Sequence, residues 1–532
     1  MDAMNRVLDQ YSSKVYKNRK EHMVKVGMNE NQNEIAANVR TIPGIISQRG
    51  CCYAGCKGVV LGPIKDAFLI THGPIGCAYY SWGTRRHKAR SEEGEDNFLQ
   101  YCFSTDLQEP DIVFGGEKKL KKAIVEAVEL FHPSTIFICS TCPVGLIGDD
   151  IHAVAKWAEK EYGIKCIAFS CEGYKGVSQS AGHHIANNQL VRYVIGEGDR
   201  EIKNKFSVNL LGEYNIGGDG WETERLLKRI GYEVVSTFTG GCSIEDLKNA
   251  HQANLSLVQC HRSINYIAEL IETKYGIPWM KINFIGVEGT IQSLRDIAGF
   301  FNDPELTQRT EEVIADELGL IEEDMAYYRS RLKGKTAAIY VGGSRAHHYQ
   351  FLLNDLGVHT ILAGYEFGHR EEYEGREVLP FVKPDADSKN IESITVEPDH
   401  DKYHLYLSEE DLNKLKEEKL VGYYGGMVKD MENGTYMVDD LNHYETEEFL
   451  KLLKPDIFFS GIKDKFVAQK SGVLSRQLHS YDYSGPYACF RGAVNFARDI
   501  TMGIYTPAWS YVKAPWKNTP ILEGTLGGGE AC

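Results

Sequence analysis

One alternation limits what this chain can fold into. A short apolar strand runs into a loop bearing Gly or Cys and then into an amphipathic helix, and the theme recurs along most of the sequence. STIFICST (134–141) reads as a buried strand, followed by a loop at Cys142–Pro143 and by GLIGDDIHAVAKWAEK as helix. NLSLVQC (254–260) enters the helical RSINYIAELIETKYG, and VNLLGEYNIGGDGWETERLLKRIG, TAAIYVGGSRAHHYQFLLNDLG and PDIFFSGIKDKFVAQKSG repeat the pattern. Strands alternating with helices of about 10–15 residues predict βαβ units and parallel sheets. The expected fold is α/β, several Rossmann-like domains with mostly parallel sheets flanked by helices. Ligands of such sheets bind beyond the carboxyl ends of the strands. Cys142, Cys260, Gly342–Gly343–Ser344–Arg345 and Lys463 all fall at predicted strand ends.

At 532 residues the chain exceeds one ordinary core. Breaks near 200 (GEGDREIKNK) and near 330 (RSRLKGK) divide it into 1–200, 201–333 and 334–532. Residues 1–40 are polar and helix-prone, an arm rather than a core. The region 371–438, with EEYEGRE, VKPDADSKN and LSEEDLNKLKEEK, is much more charged and reads as an insertion on the surface, away from any site. A net charge of −15 excludes a nucleic-acid binder. No run of about 18 apolar residues occurs and the first residues form no apolar signal region, so the expectation is a cytoplasmic chain. In that compartment thirteen cysteines are not a disulfide framework; they are buried thiols or thiolate metal ligands.

Two motifs mislead. Gly334–Lys335–Thr336 suggests a phosphate-binding loop, but Arg329 stands where that loop needs Gly, and the tripeptide precedes a strand instead of opening a helix. No G-x-G-x-x-G is present, so neither ATP nor NAD is expected. Cys139–Ser–Thr–Cys142 is formally C-x-x-C, yet Cys139 lies inside the strand pattern, where a redox dithiol would have it open a helix.

The remaining cysteine loops are richer in information. RGCCYAGCKGVVLGP around Cys51 and THGPIGC ending at Cys77 set cysteines among glycines, which let backbone amides approach a bulky anionic cluster. With Cys142 they make three loop thiols from separate units. RGCCYAGCKGVV, ITHGPIGC, STCPVGLIGDDI, EGYKGVSQSAGHHIAN, EYNIGGD, QCHRSINYI, GYEFGH and LHSYDYSGPY together resemble the alpha chains of nitrogenase molybdenum–iron proteins, in the family's order from about residue 40 to about 510.

That resemblance implies a cofactor site between domains and two metal clusters. Cys51, Cys77 and Cys142 match ligands of the P-cluster, an [8Fe-7S] electron relay shared with a beta chain. Cys52 stands where the family commonly has Ala, and with Cys56 it is a weaker candidate for the same cluster; Cys102, Cys166, Cys171, Cys242 and Cys489 default to core thiols. Cys260 and His479 match the two ligands of the iron–molybdenum cofactor. Arg85, Arg345 and Lys463 match basic residues around that cofactor and its homocitrate, and Gly342 and Gly343, with Ser344, let backbone approach it. Gln179, His183, Glu366 and Gln477 match its polar surroundings, and Val59 the side chain shielding the iron face where substrate binds. Tyr481 replaces a tryptophan of many relatives, which implies altered packing there. Phe114 falls on the surface where an ATP-hydrolysing iron protein docks. The implied activity is reduction of dinitrogen and protons to ammonia and hydrogen in an alpha2beta2 assembly. A non-catalytic cofactor-assembly scaffold and a protochlorophyllide reductase subunit are the rivals; the presence of His479, Arg345, Lys463 and His183 argues against the first and that of Cys260 with His479 against the second, while a vanadium or iron-only nitrogenase stays open.

Overall fold

The computed structural model describes residues 2–27, 35–36, 50–84, 96–176, 178–366, 368, 370–375, 391–461 and 464–506. Two short helices, Ala3–Leu8 and Ser13–Lys20, lead into strand β1 (Met23–Lys25). A first parallel sheet follows, built from β2 (Phe68–His72), β3 (Phe103–Ser104), β4 (Thr135–Ser140) and β5 (Lys165–Phe169) in the order β3-β2-β4-β5. A second contains β6 (Ser207–Glu213), β7 (Glu233–Thr239), β8 (Leu255–Val258) and β9 (Trp279–Lys281), ordered β7-β6-β8-β9 and again parallel. The third takes β10 (Thr336–Gly342), β11 (His359–Glu366), β12 (Tyr436–Asp439), β13 (Ile457–Ser460) and β14 (Leu474–Gln477), in the order β1-β12-β11-β10-β13-β14. Only β1 in it runs antiparallel. The α/β expectation is borne out.

Local sequence explains these elements. Every residue of β4, TIFICS, is buried, the mark of a strand covered on both faces. The helix Glu117–Phe131 buries Leu120, Ile124 and Ala127, a stripe at helical spacing, and leaves its lysines outside. The helix Ile151–Tyr162 starts where Asp150 accepts a hydrogen bond from the Ala153 amide at 2.9 Å. Lys335 of the false phosphate loop is bonded to Asp456 at 3.0 Å. Among the described residues no helix is long and apolar enough to cross a membrane.

Two segments differ from their expected placement. The N-terminal arm is not a loose extension of the first segment, because β1 pairs with β12 and so completes the third sheet. Nor is 371–438 wholly external. The exposed helix Glu409–Glu417 fits the expectation, but Glu371, Glu372, Tyr373, Val421, Tyr424 and Met427 are buried, and β12 begins inside the segment. High average charge concealed a few apolar positions that fill the core.

The arm is held by a buried ion pair. Arg19 donates through Nε and Nη2 to both Glu445 oxygens at 2.7 Å and through Nη2 to the Asp439 carbonyl at 3.1 Å. Their side chains are 2% and 0% exposed. Arg19→Met leaves the carboxylate buried with only the Tyr11 hydroxyl and the Asn442 amide, a loss of about 3–5 kcal/mol. Hydrogen exchange at Met23–Lys25 should accelerate by about two orders of magnitude; unchanged protection there would contradict this anchoring.

Candidate metal centres

Cys51, Cys77 and Cys142 emerge from three different loops and meet. Strands β2 and β4 run side by side from Phe68 opposite Ile136 to His72 opposite Ser140, so the chain leaves both at one edge. Thr141 donates to the His72 carbonyl through its hydroxyl at 3.0 Å and its amide at 3.1 Å. The His72 ring bonds Asp149 Oδ2 and Thr105 Oγ1, each at 3.0 Å, and Asp149 also accepts the Gly116 amide. These bonds fix the loops that carry Cys77, near the start of the helix Ile75–Thr84, and Cys142, the first residue of the helix Cys142–Ile147. Cys51 completes the group: a Cβ on Gly173 would stand 3.0 Å from Cys142 Sγ and 3.6 Å from Cys51 Sγ. Burial pushes the Cys77 thiol up, and the nearby Cys51 and Cys142 push it further. All three cysteines are exposed in this chain.

Cys52 and Cys56 face the other way and are fully buried. Cys56, Cys139 and Cys171 are fully buried in the same core, which accounts for the first cysteine of the false C-x-x-C as a structural thiol.

A second group lies deeper. The π-helix Ala54–Leu61 carries buried Val59 and packs against the helix Gln179–Tyr193. The approach requires glycine on both sides, since a Cβ on Gly182 would collide with the Cys52 carbonyl and one on Gly55 with the Gln179 carbonyl. Gln179 opens that helix and buried His183 follows one turn later on the same face. Asn187 on the helix donates to the Ser263 carbonyl at 3.0 Å, tying it to the helix His261–Tyr275, whose N-cap is the partly buried Cys260. Gly212, at a φ of 76°, lets the end of β6 come within reach of Cys260; a Cβ there would stand 2.8 Å from the Cys260 nitrogen.

The third sheet brings its strand ends level. Gly342 lies opposite Glu366, and Ser460 opposite both Tyr340 and Gln477. Gly343 begins the helix Gly343–Asp355, which places Ser344 and Arg345 in its first turn. Gln477 accepts from the Ser480 hydroxyl at 2.8 Å, and His479, two residues past β14, is buried. Arg345 Nη2 donates to Asp219 Oδ2 at 2.9 Å and to the Tyr481 hydroxyl, which itself donates to Asp219 and accepts from Tyr349. Burial works against the Arg345 cation, but Tyr481, Tyr349, Asp219 and Glu213 outweigh it and hold the guanidinium charged. Its Nε is buried without a hydrogen-bond partner among the described residues, a donor suited to an anionic group. A soft thiolate, an imidazole and a cation with a free donor fit an anionic metal–sulfur cofactor. Arg85 and Lys463 lie outside the described residues.

Sequence reasoning passed over the support of this site. EYNIGGD was recognisable as a motif, but not that its acids Glu213 and Asp219 serve Arg345. Burial pushes Glu213 up to about 7, with Asp219 adding to the effect and Arg345 opposing it. Tyr481, expected only to alter packing, supplies a hydroxyl at the centre of the network. The charged insertion reaches the site as well: His261, next to Cys260, bonds buried Glu371 at 2.8 Å and stacks on Tyr424 with ring centroids 4.0 Å apart.

Comparison with known proteins agrees with this geometry. A family model described as nitrogenase component 1 type oxidoreductase matches residues 51–505. The chain is 59% identical over 528 residues to the nitrogenase molybdenum-iron protein alpha chain of Clostridium pasteurianum, across 99% of this chain and 98% of that one. It is 54% identical over 517 residues to the protein of that name from Methanosarcina barkeri, across 97% and 96%. The solved structure of nitrogenase Cp1 at pH 6.5 superposes with a TM-score of 0.92 at 59% identity, covering 97% of this chain and all of that one (100%). The chain therefore belongs to the nitrogenase component 1 type oxidoreductases, in the branch of the molybdenum–iron protein alpha chains.

Proposed function

We propose that this chain is the catalytic alpha subunit of a molybdenum nitrogenase, a cytoplasmic enzyme reducing dinitrogen and protons to ammonia and hydrogen. The observation that carries this reading is the pairing of two unlike sites. Three thiols converge at the surface, while Cys260 lies against Gly212 at the end of β6 and Tyr481, two residues after His479, hydrogen-bonds Asp219 in the segment that follows β6. Cys51, Cys77 and Cys142 hold half of the P-cluster, and a beta chain supplies the rest. Exposed Ile75, Tyr79 and Tyr80 on the Cys77 helix and Leu146 on the Cys142 helix form the apolar ground for that chain in an alpha2beta2 assembly. Phe114, 88% exposed, suits the docking of an ATP-hydrolysing iron protein that delivers the electrons.

Cys260 and His479 anchor the iron–molybdenum cofactor. When bound, that cofactor with its homocitrate supplies the multi-electron redox chemistry. The protein provides charge, donors and shape. Arg345, Arg85 and Lys463 offset the desolvation of a buried anion. His183, Gln179, Gln477, Glu366 and Ser344 form its polar surroundings, Gly342 and Gly343 admit it to the backbone, and Val59 limits access to one face.

Cys260→Ala and His479→Ala should each abolish dinitrogen reduction and molybdenum content while the P-cluster iron remains; metal analysis of the purified variants reads this directly. Unchanged molybdenum in both would overturn the assignment. Arg345→Gln should weaken cofactor retention by about 10- to 100-fold. Tyr481→Phe, which leaves the buried Asp219 and Tyr349 hydroxyl short of a partner, should cost about 1–3 kcal/mol in stability. Thermal unfolding and molybdenum retention matching wild type in both would show that the network is dispensable.

A further inference from the structure

A cavity of about 530 Å³ lies outside the sites above, between β9, the helices Val287–Phe301 and Gly343–Asp355, and residues 419–430. Its size falls within the range of small-molecule sites. Lys281 stands at its inner end. The ammonium donates to the carbonyls of Gln259 at 3.0 Å, Ile282 at 3.1 Å and Val258 at 3.4 Å and bonds His348 Nε2 at 2.8 Å. All four partners are neutral acceptors or an imidazole that burial drives toward neutrality. No carboxylate of the described residues lies within 4 Å of the ammonium. A cation so placed is stabilised by any anion that reaches it.

The acids lining the cavity do not provide that anion. Asp430 is engaged by His347 at 3.1 Å. Asp296 accepts from Gln292 at 2.7 Å, and burial drives its carboxyl up toward the neutral form. Glu288 is exposed at the rim, as is Lys429, which has no carboxylate of the described residues within 4 Å. Phe351, Tyr423 and Tyr424 give the cavity flat apolar walls.

We propose that this cavity binds a small organic anion, a carboxylate on a flat apolar body, with Lys281 as counter-ion at its inner end and Lys429 at its mouth. Such a ligand sits against the strand end that presents Cys260, because Lys281 is bonded to the two residues before it.

Calorimetric titration of the intact, metal-loaded assembly with benzoate tests the proposal. One site per alpha chain is expected, with a Kd below about 1 mM, and inorganic phosphate should bind more weakly for lack of an apolar body. Lys281→Met should weaken benzoate binding by at least about tenfold, and Lys281→Arg should keep most of it. Lys429→Glu, at an exposed position, should weaken it severalfold and decides the question if Lys281→Met does not fold. Absence of benzoate binding to the wild-type assembly at about 10 mM, binding that Lys429→Glu leaves unchanged, or phosphate binding as tightly as benzoate would each overturn the proposal.

Discussion

Asp219 has no exposure to solvent, and each of its oxygens accepts two hydrogen bonds. Oδ1 takes the amides of Tyr487 and Ala488 at 2.7 and 2.9 Å; Oδ2 takes the Arg345 guanidinium and the Tyr481 hydroxyl. A carboxylate removed from water is tolerated only when its acceptor sites are filled and a cation stands close. Asp219 also begins the helix Asp219–Ile230, whose N-terminal dipole favours negative charge. The groups that satisfy it come from two other places: the start of the helix after β10 and the loop after β14. One residue of the second sheet's segment thus sets the position of Arg345 and of the loop bearing His479. These three pieces of chain meet because they share the same carboxylate.

The two candidate metal regions are linked by two packed helices. The π-helix begins three residues after Cys51 and carries Val59, and π-helical turns recur at functional sites. The helix Gln179–Tyr193 lies against it and reaches Ser263, three residues from Cys260. Glycine on both contacting surfaces brings the backbones closer than side chains would permit. The outer cysteines are exposed, whereas Val59, His183 and His479 are buried and Cys260 is partly so.

Much of this was legible in the sequence, for definable reasons. Buried parallel strands announce themselves as apolar runs, so β4, β8, β10 and β13 were readable, and the loops that follow them held the candidate residues. Cys51, Cys77 and Cys142 stood out because each sits among glycines or next to proline at or just before the start of a helix. The contrast between Cys51 and Cys52 was not readable from composition: adjacent residues, one exposed and one fully buried, are separated by the direction of a single helical turn. The pairing of β1 with β12 joins residues over four hundred positions apart and has no local signature. The insertion misled because averaging its charge hid Tyr424 and Glu371, which turn inward onto His261. Asp219 was visible as a letter in a motif, but its role depends on a tyrosine and an arginine that only folding brings near.

The central claim is that the outer site is half of a shared one. Three thiolates fall short of even the four that simpler iron–sulfur clusters use, and their exposure leaves the open side facing a second chain. Expressing this chain without a beta partner and measuring iron content together with native mass tests it most directly. A chain lacking the eight-iron cluster, which acquires it only on assembly with a beta chain, is the predicted result. An isolated monomer carrying a complete eight-iron cluster with a normal electron paramagnetic resonance signature would contradict the account.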